Sequence, residues 1–280
     1  MGIFADNPVL NREVRSRLRL RRLVAGSPLL WGAAVGVLII IYFYIKGLVA
    51  IWHGQVRDAR DLWAYLILFL LLLIIVIAPA LLSTAITQER EQQTWESLAT
   101  TQLTAAEILI GKWLARLSLT GLPIFVLLPF VIGCAAKGEI GVRTNLAVLL
   151  FLCITAAFYG VLGLLCSFFA RKTVTATVVS LTVTIILCVG TPLLAALLES
   201  YLRASSADYA YHDPIVLWIN PFSALYALIA DLEPQGIGMI ASSSTASPGT
   251  ATAFYLSVSA IAAAAGLLTM TARFRHVARE

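Results

Sequence analysis

Six long apolar runs divide the chain, and short polar stretches separate them. They cover residues 28–48, 62–86, 113–136, 144–170, 173–198 and 252–272. A helix needs about 20 mostly apolar residues to cross the hydrocarbon layer, and each run has that length. The runs are apolar all round, whereas a barrel strand would alternate lipid-facing and lumen-facing residues. The pattern predicts an all-α polytopic membrane protein with six transmembrane helices.

Composition excludes a soluble globular protein. Hydrophobic residues make up 60% of the 280-residue chain and charged residues only 12%, which is more apolar surface than a soluble core buries. The first apolar run begins after 27 residues and is too long for the core of a cleavable signal peptide. The four cysteines lie inside predicted spans without nearby histidines, so we expect packing roles and no metal site or disulfide.

Lys and Arg residues are distributed unevenly across the predicted spans. One side receives 14 of the 20, from the N-terminal segment, the stretch between the second and third runs, Arg171–Lys172 and the tail. By the positive-inside rule, both termini and that central stretch face the cytoplasm of a cell-membrane (inner-membrane) protein. The net charge of +5 therefore reports orientation and affinity for anionic lipid rather than binding to nucleic acid.

The polar segments between and around the spans have distinct patterns. Residues 1–27 contain an amphipathic stretch whose apolar side is opposed by a basic face, formed by Arg12, Arg15, Arg19 and Arg22. This pattern predicts a helix on the membrane surface, and a basic flank that only fixes orientation is the alternative. The membrane domain covers residues 28–273, and residues 274–280 form a basic tail.

An outer region at 199–250 contains a short apolar piece, residues 215–230, which Asn220-Pro221 interrupts. Sixteen residues broken by proline favour a re-entrant element over a seventh span.

Charge is concentrated in residues 87–112, between the second and third runs. Glu89, Arg90, Glu91, Glu96, Glu107 and Lys112 lie there. Thr104 and Glu107 have the spacing of a capping box, which predicts a helix that starts at this point and continues into the third span. Trp95 and Leu98 give the preceding piece an apolar spot suited to docking on a partner. The two interpretations are a partner-binding hairpin and an ordinary solvated loop.

The same stretch resembles the cytoplasmic signature of ABC transporter permeases of the type-two (ABC-2) class. Glu89 and Glu91 match its paired acids, and Glu96 and Leu98 match its short acidic-leucine helix. Further matches are Thr94, Thr100-Thr101, Leu103-Thr104, Glu107-Ile108 and Gly111-Lys112. Two positions depart from the signature, since Gln93 stands where glycine is usual and Gln102 where proline is usual.

The resemblance implies the transmembrane subunit of an ATP-driven exporter, in which two permease copies, identical or similar, pair with separate ATPase subunits. It assigns the ATPase-coupling interface to Glu89, Glu91, Thr94, Trp95, Glu96, Leu98, Thr104 and Glu107. The sequence has no GxxxxGK[ST] phosphate loop, so we expect this chain to bind no cofactor. ATP and Mg²⁺ would bind to the partner, and the chain itself would not be an enzyme.

Two other classes of function fit a charged hairpin between apolar spans. One is a channel or secondary carrier without an ATPase, against which the absence of charge near the middle of the spans counts. The other is a non-transporting scaffold or assembly factor that uses the hairpin as a docking site. Copurification of an ATPase distinguishes the permease from the channel, and substrate-dependent ATP turnover distinguishes it from the scaffold.

The distribution of Lys and Arg makes a prediction about orientation. A cysteine at position 279, in a chain that lacks the four native cysteines, is expected to resist membrane-impermeant thiol reagents in intact cells and to react after lysis. A cysteine in residues 137–139, on the predicted outer side, is the matched control and should react in intact cells. Labelling of position 279 from outside would contradict the orientation.

Overall fold

The computed structural model describes residues 41–42, 45–46, 49, 52–53, 56–93, 104–136, 140–205, 215–232 and 248–277, and contains no strand among them. Its α-helices are α1 (Val56–Ser83), α2 (Thr87–Glu91), α3 (Ala105–Thr120), α4 (Leu122–Ala136), α5 (Val142–Phe169), α6 (Thr173–Ile185), α7 (Thr191–Ser205), α8 (Pro221–Leu232) and α9 (Pro248–Val277). The predicted all-α class is therefore confirmed for these residues.

Five helical segments of the described chain are long and apolar enough to cross a membrane. They are Arg60–Glu91, Ala105–Phe125, Val142–Phe169, Thr173–Leu202 and Gly249–Phe274. These segments correspond to the second to sixth predicted runs. Most of the first predicted run lies outside the described residues, as does the predicted surface helix with Arg12, Arg15, Arg19 and Arg22.

Helices α1 and α5 form the centre of the bundle. In each, 56% of the most apolar window is buried inside the protein, against 11% in the fifth span, Thr173–Leu202. The side chains of Trp63, Leu70 and Phe151 are at most 1% exposed in the main core cluster. At one end of this cluster the indole of Trp63 donates to Oδ1 of Asn145 over 2.9 Å, which satisfies two buried polar groups. The peripheral helices leave apolar side chains exposed, as a hydrocarbon solvent allows.

Close approach of α1 and α5 depends on a glycine. A Cβ atom added at Gly163 would lie 2.5 Å from the carbonyl oxygen of Pro79 and 2.8 Å from its Cα atom. Backbone atoms cannot move aside as a flexible side chain does, so glycine is the residue that fits this contact. The same carbonyl of Pro79 also accepts a hydrogen bond of 3.4 Å from Ser180 in α6.

The third span is divided where the sequence predicted one apolar run. Its helix begins at Ala105, directly after the predicted cap at Thr104, and α3 ends at Thr120 before α4 begins at Leu122. An apolar cavity of about 260 Å³ lies beside this division and is lined by residues of α3, α4 and α5.

The short apolar piece after the fifth span also has the predicted interruption. A 3₁₀ helix, Ile215–Ile219, ends at Asn220, and the 12-residue α8 follows. Twelve residues rise about 18 Å, which is too short to cross the hydrocarbon layer. Helix α8 buries Ala224 and Leu225 completely, and the carbonyl of Ala224 accepts a hydrogen bond of 3.1 Å from Thr252 of α9. The geometry therefore agrees with an element that packs on the bundle without spanning the membrane.

We predict that Gly163→Ala destabilises the protein by about 1–3 kcal/mol, because the added methyl group overlaps the backbone of Pro79. Gly121→Ala is the matched control, since a Cβ atom there meets no heavy atom closer than 3.4 Å and φ is −76°. Thermal unfolding in one detergent, followed by size-exclusion chromatography, measures both variants. Equal unfolding temperatures for the two would contradict the tight contact.

Candidate functional site

The charged end of the bundle is the end formed by α2, the first half of α3 and the turn between α5 and α6. Helix α1 stops at Ser83, and residues 84–86 turn before α2 begins. The hydroxyl of Ser167 in α5 accepts from the backbone N–H groups of Ile86, over 2.9 Å, and Thr87, over 3.1 Å. Ser167 is itself completely buried, so one α5 side chain satisfies two donors that a break in the helix exposes.

Two cations of α3 bind the end of α1 and α2. Nζ of Lys112 lies 2.5 Å from Oε1 of Glu89, and the lysine side chain is fully buried while that of Glu89 is 24% exposed. One turn further along, Nη1 of Arg116 donates to the carbonyl oxygen of Leu81 over 2.6 Å and to the hydroxyl of Thr84. Lys112 and Arg116 are four residues apart and share one face of α3. Through these two side chains, α3 binds the end of α1 and the turn that follows it.

Helix α2 makes two further contacts, both with the turn between α5 and α6. Nη1 of Arg90 donates to the carbonyl oxygen of Ala170, the residue after α5, over 3.0 Å. Oε1 of Glu91 accepts from the N–H of Thr173, the first residue of α6, over 2.7 Å. A carboxylate at a helix N-terminus satisfies a free N–H and interacts favourably with the helix dipole. Glu89, Arg90 and Glu91 thus contact three different spans.

The predicted capping box is present at the start of α3. The N–H of Thr104 donates to Oε2 of Glu107 over 2.8 Å, and the N–H of Glu107 donates to the hydroxyl of Thr104 over 3.3 Å. This reciprocal pair explains why the helix begins at Ala105, eight residues before the apolar run. The prediction that one helix starts at Thr104 and continues into the third span is confirmed as far as Thr120.

The turn after α2 contains one residue with a strained backbone conformation. Gln93 has a φ of 56°, in the left-handed region that favours glycine. Glycine, which is usual here in the signature that the sequence resembles, would adopt this φ without strain. The strain of a non-glycine residue here is about 1 kcal/mol.

The predicted interface residues fall into two groups. Glu89, Glu91, Thr104 and Glu107 are described, and each makes a hydrogen bond within the chain. The other four, Thr94, Trp95, Glu96 and Leu98, lie in residues 94–103, outside the described residues. Among the described residues, no cluster of three or more His, Cys, Asp or Glu side chains could hold a metal ion.

From the sequence, Lys112 and Arg116 indicate orientation, and Lys112 also matches the signature, but neither cation is assigned a partner. Their spacing of four residues at the start of an apolar helix was the available signal, because cations there face the protein interior more readily than lipid. Ser167 and Thr173 had no comparable signal. Each matters through a partner about 80 residues away in the chain, and only the packed structure brings the two together.

Comparison with models of known protein families gives a match. The model of a family described as ABC-2 family transporter protein matches residues 8–276, which is nearly the whole chain. No curated protein matches the sequence.

We predict that Lys112→Met destabilises the protein by about 2 kcal/mol, because the Glu89 carboxylate loses its cation in a site that is only partly exposed. Adding Glu89→Gln should recover part of that loss, so the double variant is more stable than the sum of the two single effects predicts. Lys172→Met, at an exposed cation of the same end, is the matched control. Free energies of unfolding from detergent titration measure the cycle, and strict additivity would contradict the buried pair.

Proposed function

This chain belongs to the ABC-2 transporter family and is a membrane permease, a transport component that is not itself catalytic; from this premise we propose that a separate ATPase drives it through residues 87–112. ABC-2 permeases generally work with an ABC ATPase. The proposal for this chain is that the ATPase docks on the hairpin and that α2 passes the motion on to the spans.

The contacts of α2 carry this proposal. The three residues Glu89, Arg90 and Glu91 bind α3, the end of α5 and the start of α6 respectively. The Glu89 and Arg90 contacts are partly buried, and losing them would leave polar groups unpaired at the edge of the hydrocarbon layer. They therefore hold α2 against the spans during small displacements, and the exposed bond of Glu91 adds a contact with the start of α6. A force on the hairpin therefore reaches three spans together. An ordinary solvated loop would have no need of such contacts.

The hairpin then has two parts with different roles. The stem contains Glu89 and Glu91, which bind α3 and the start of α6, and the capping pair Thr104 and Glu107, which starts α3. We assign docking to Thr94, Trp95, Glu96 and Leu98. Trp95 and Leu98 are three residues apart, so on a helix they form one apolar spot beside an acid, which suits a groove on a partner. Coupling follows if the ATPase contacts this spot differently in its two nucleotide states.

The remaining features of the proposal follow from the same assignment. The ATPase side of the membrane is the cytoplasm, where both termini also lie, and ATP and Mg²⁺ bind to the ATPase. Six spans enclose only part of a pathway, so two permease copies, identical or similar, would surround it. Export from the cytoplasm is the direction typical of the family. An apolar interior favours a hydrophobic or amphiphilic cargo over a small ion.

We predict that Trp95→Ala weakens binding of the ATPase by about 2 kcal/mol, a loss of about 30-fold in affinity, because an aromatic anchor is removed from the interface. Insertion in the membrane should be unchanged, since Trp95 lies outside the spans. The measurement is titration of the purified ATPase against permease in nanodiscs.

Trp52→Ala is the matched control for this variant. Its side chain is 85% exposed, and it lies between the first two predicted spans, on the predicted outer side of the membrane. It should bind the ATPase like the unchanged chain. If Trp95→Ala binds with unchanged affinity and transports at an unchanged rate, the hairpin is a solvated loop and the proposal fails.

A further inference from the structure

The fifth span, Thr173–Leu202, is interrupted at its middle. Helix α6 ends at Ile185, a π-turn occupies Ile186–Gly190, and α7 begins with Thr191-Pro192. Proline has no N–H, and its ring displaces the carbonyl four residues earlier, which here belongs to Cys188. A carbonyl without a donor in the hydrocarbon layer costs several kcal/mol. The sequence Thr191-Pro192 therefore creates a need for donors from elsewhere.

Two side chains supply those donors. The hydroxyl of Thr191 donates to the carbonyl oxygen of Leu187 over 2.7 Å, within the span. Nδ2 of Asn220, a residue outside the span, donates to the carbonyl oxygen of Cys188 over 2.7 Å and to the hydroxyl of Thr191 over 2.9 Å. Asn220 is only 3% exposed, so water does not replace these bonds.

The oxygen atom of the same amide group binds the N-terminus of α8. Oδ1 of Asn220 accepts from the N–H of Phe222 over 2.8 Å and from the N–H of Ser223 over 3.4 Å, which caps α8 at its N-terminus. All the strong hydrogen-bonding capacity of this side chain is used. One buried asparagine thus joins the first turn of α8 to the kink of the fifth span.

Apart from the kink, the second half of the fifth span packs mainly against the 3₁₀ helix Ile215–Ile219, which leads into Asn220. Between residues 191 and 202 only Ala195 is buried, and the side chains of Leu193, Leu194 and Leu197 are 55–60% exposed. Helix α8, in contrast, packs its buried residues against the bundle and bonds to α9. The direction of α7 is therefore set at the kink, where Asn220 binds it, and by its packing on the 3₁₀ helix that leads into Asn220.

We propose that Asn220 is a positioning residue for transport: it fixes the angle between α6 and α7, so the second half of the fifth span changes direction only when α8 moves with it or releases it. A transporter has to alternate the opening of its pathway, and a proline kink supplies the freedom for such a movement. The hydrogen bonds of the Asn220 amide restrict this movement, and their release allows it. This inference needs no ATPase contact and stands apart from the assignment of the hairpin.

Electron spin-echo distances between labels on α6 and α7 test the proposal. Cysteines replace Val178 and Leu197, which are exposed and 19 positions apart, about 28 Å on a straight helix. The four native cysteines are removed, and the backbone carbonyl at position 188 remains in any such variant. Labelled chain is diluted with unlabelled chain in nanodiscs, so that distances between two copies do not contribute.

Asn220→Ser is the informative variant, because serine still caps α8 but is too short and lacks the amide to bond the Cys188 carbonyl. We expect one narrow distance distribution for the unchanged chain and a broadened distribution for Asn220→Ser. Ser223→Ala is the matched control. It removes a hydroxyl that donates to the carbonyl oxygens of Leu217, in the preceding 3₁₀ helix, and of Asn220, but leaves the Asn220 amide in place, so its distribution should stay narrow.

A second set of variants, made in a chain that carries Pro192→Ala, tests the proposal even if Asn220→Ser alone folds poorly. Pro192→Ala restores an N–H for the Cys188 carbonyl, so we expect a narrow distribution shifted towards the straight-helix distance. Adding Asn220→Ser to Pro192→Ala should then leave that distribution unchanged. The proposal is overturned if Asn220→Ser alone gives the distribution of the unchanged chain, if Ser223→Ala broadens it equally, or if Asn220→Ser broadens it in the Pro192→Ala background.

Discussion

The rest of the structure depends on one constraint: in a hydrocarbon solvent, each buried polar group has to find its partner inside the protein. Regular helices meet this requirement alone, and wherever a helix breaks, another element has to supply the missing donor or acceptor. Ser167 does so for the turn after α1, and Asn220 does so for the kink of the fifth span. The places where helices break are therefore the places where they become joined to one another.

The same constraint explains the buried cations. Lys112 and Arg116 lie on α3 near the edge of the apolar region, where exposure to lipid would be unfavourable. They bind Glu89 and the last turn of α1, so their charges are satisfied while α3 is held against α1. The start and the middle of the fifth span are held in the same way, since Glu91 bonds the first N–H of α6 and Asn220 bonds the Cys188 carbonyl. Polar contacts here determine relative positions of helices, whereas apolar packing supplies most of the burial.

For a permease, such contacts matter because they link moving parts. Helix α2 contacts α3 and both sides of the α5–α6 turn, and α6 leads directly into the kink that α8 holds. A displacement at α2 would reach the start of α6, and the kink would decide how much of it reaches α7. The hairpin and α8 thus act at the start and at the middle of one span in the proposed mechanism.

The sequence by itself determined the helical class, five of the six predicted spans now described, the capping box at Thr104 and the interruption at Asn220-Pro221, because each depends on residues close together in the chain. Only the tertiary structure decided that Glu89, Arg90 and Glu91 bind three spans and that Lys112 is buried against Glu89. Only packing revealed that Gly163 touches Pro79 and that Asn220 serves the Cys188 carbonyl. The physical reason is the distance along the chain. A local pattern determines which groups a helix leaves unsatisfied. The partner of each group lies 23 to about 80 positions away and comes close only when the helices pack.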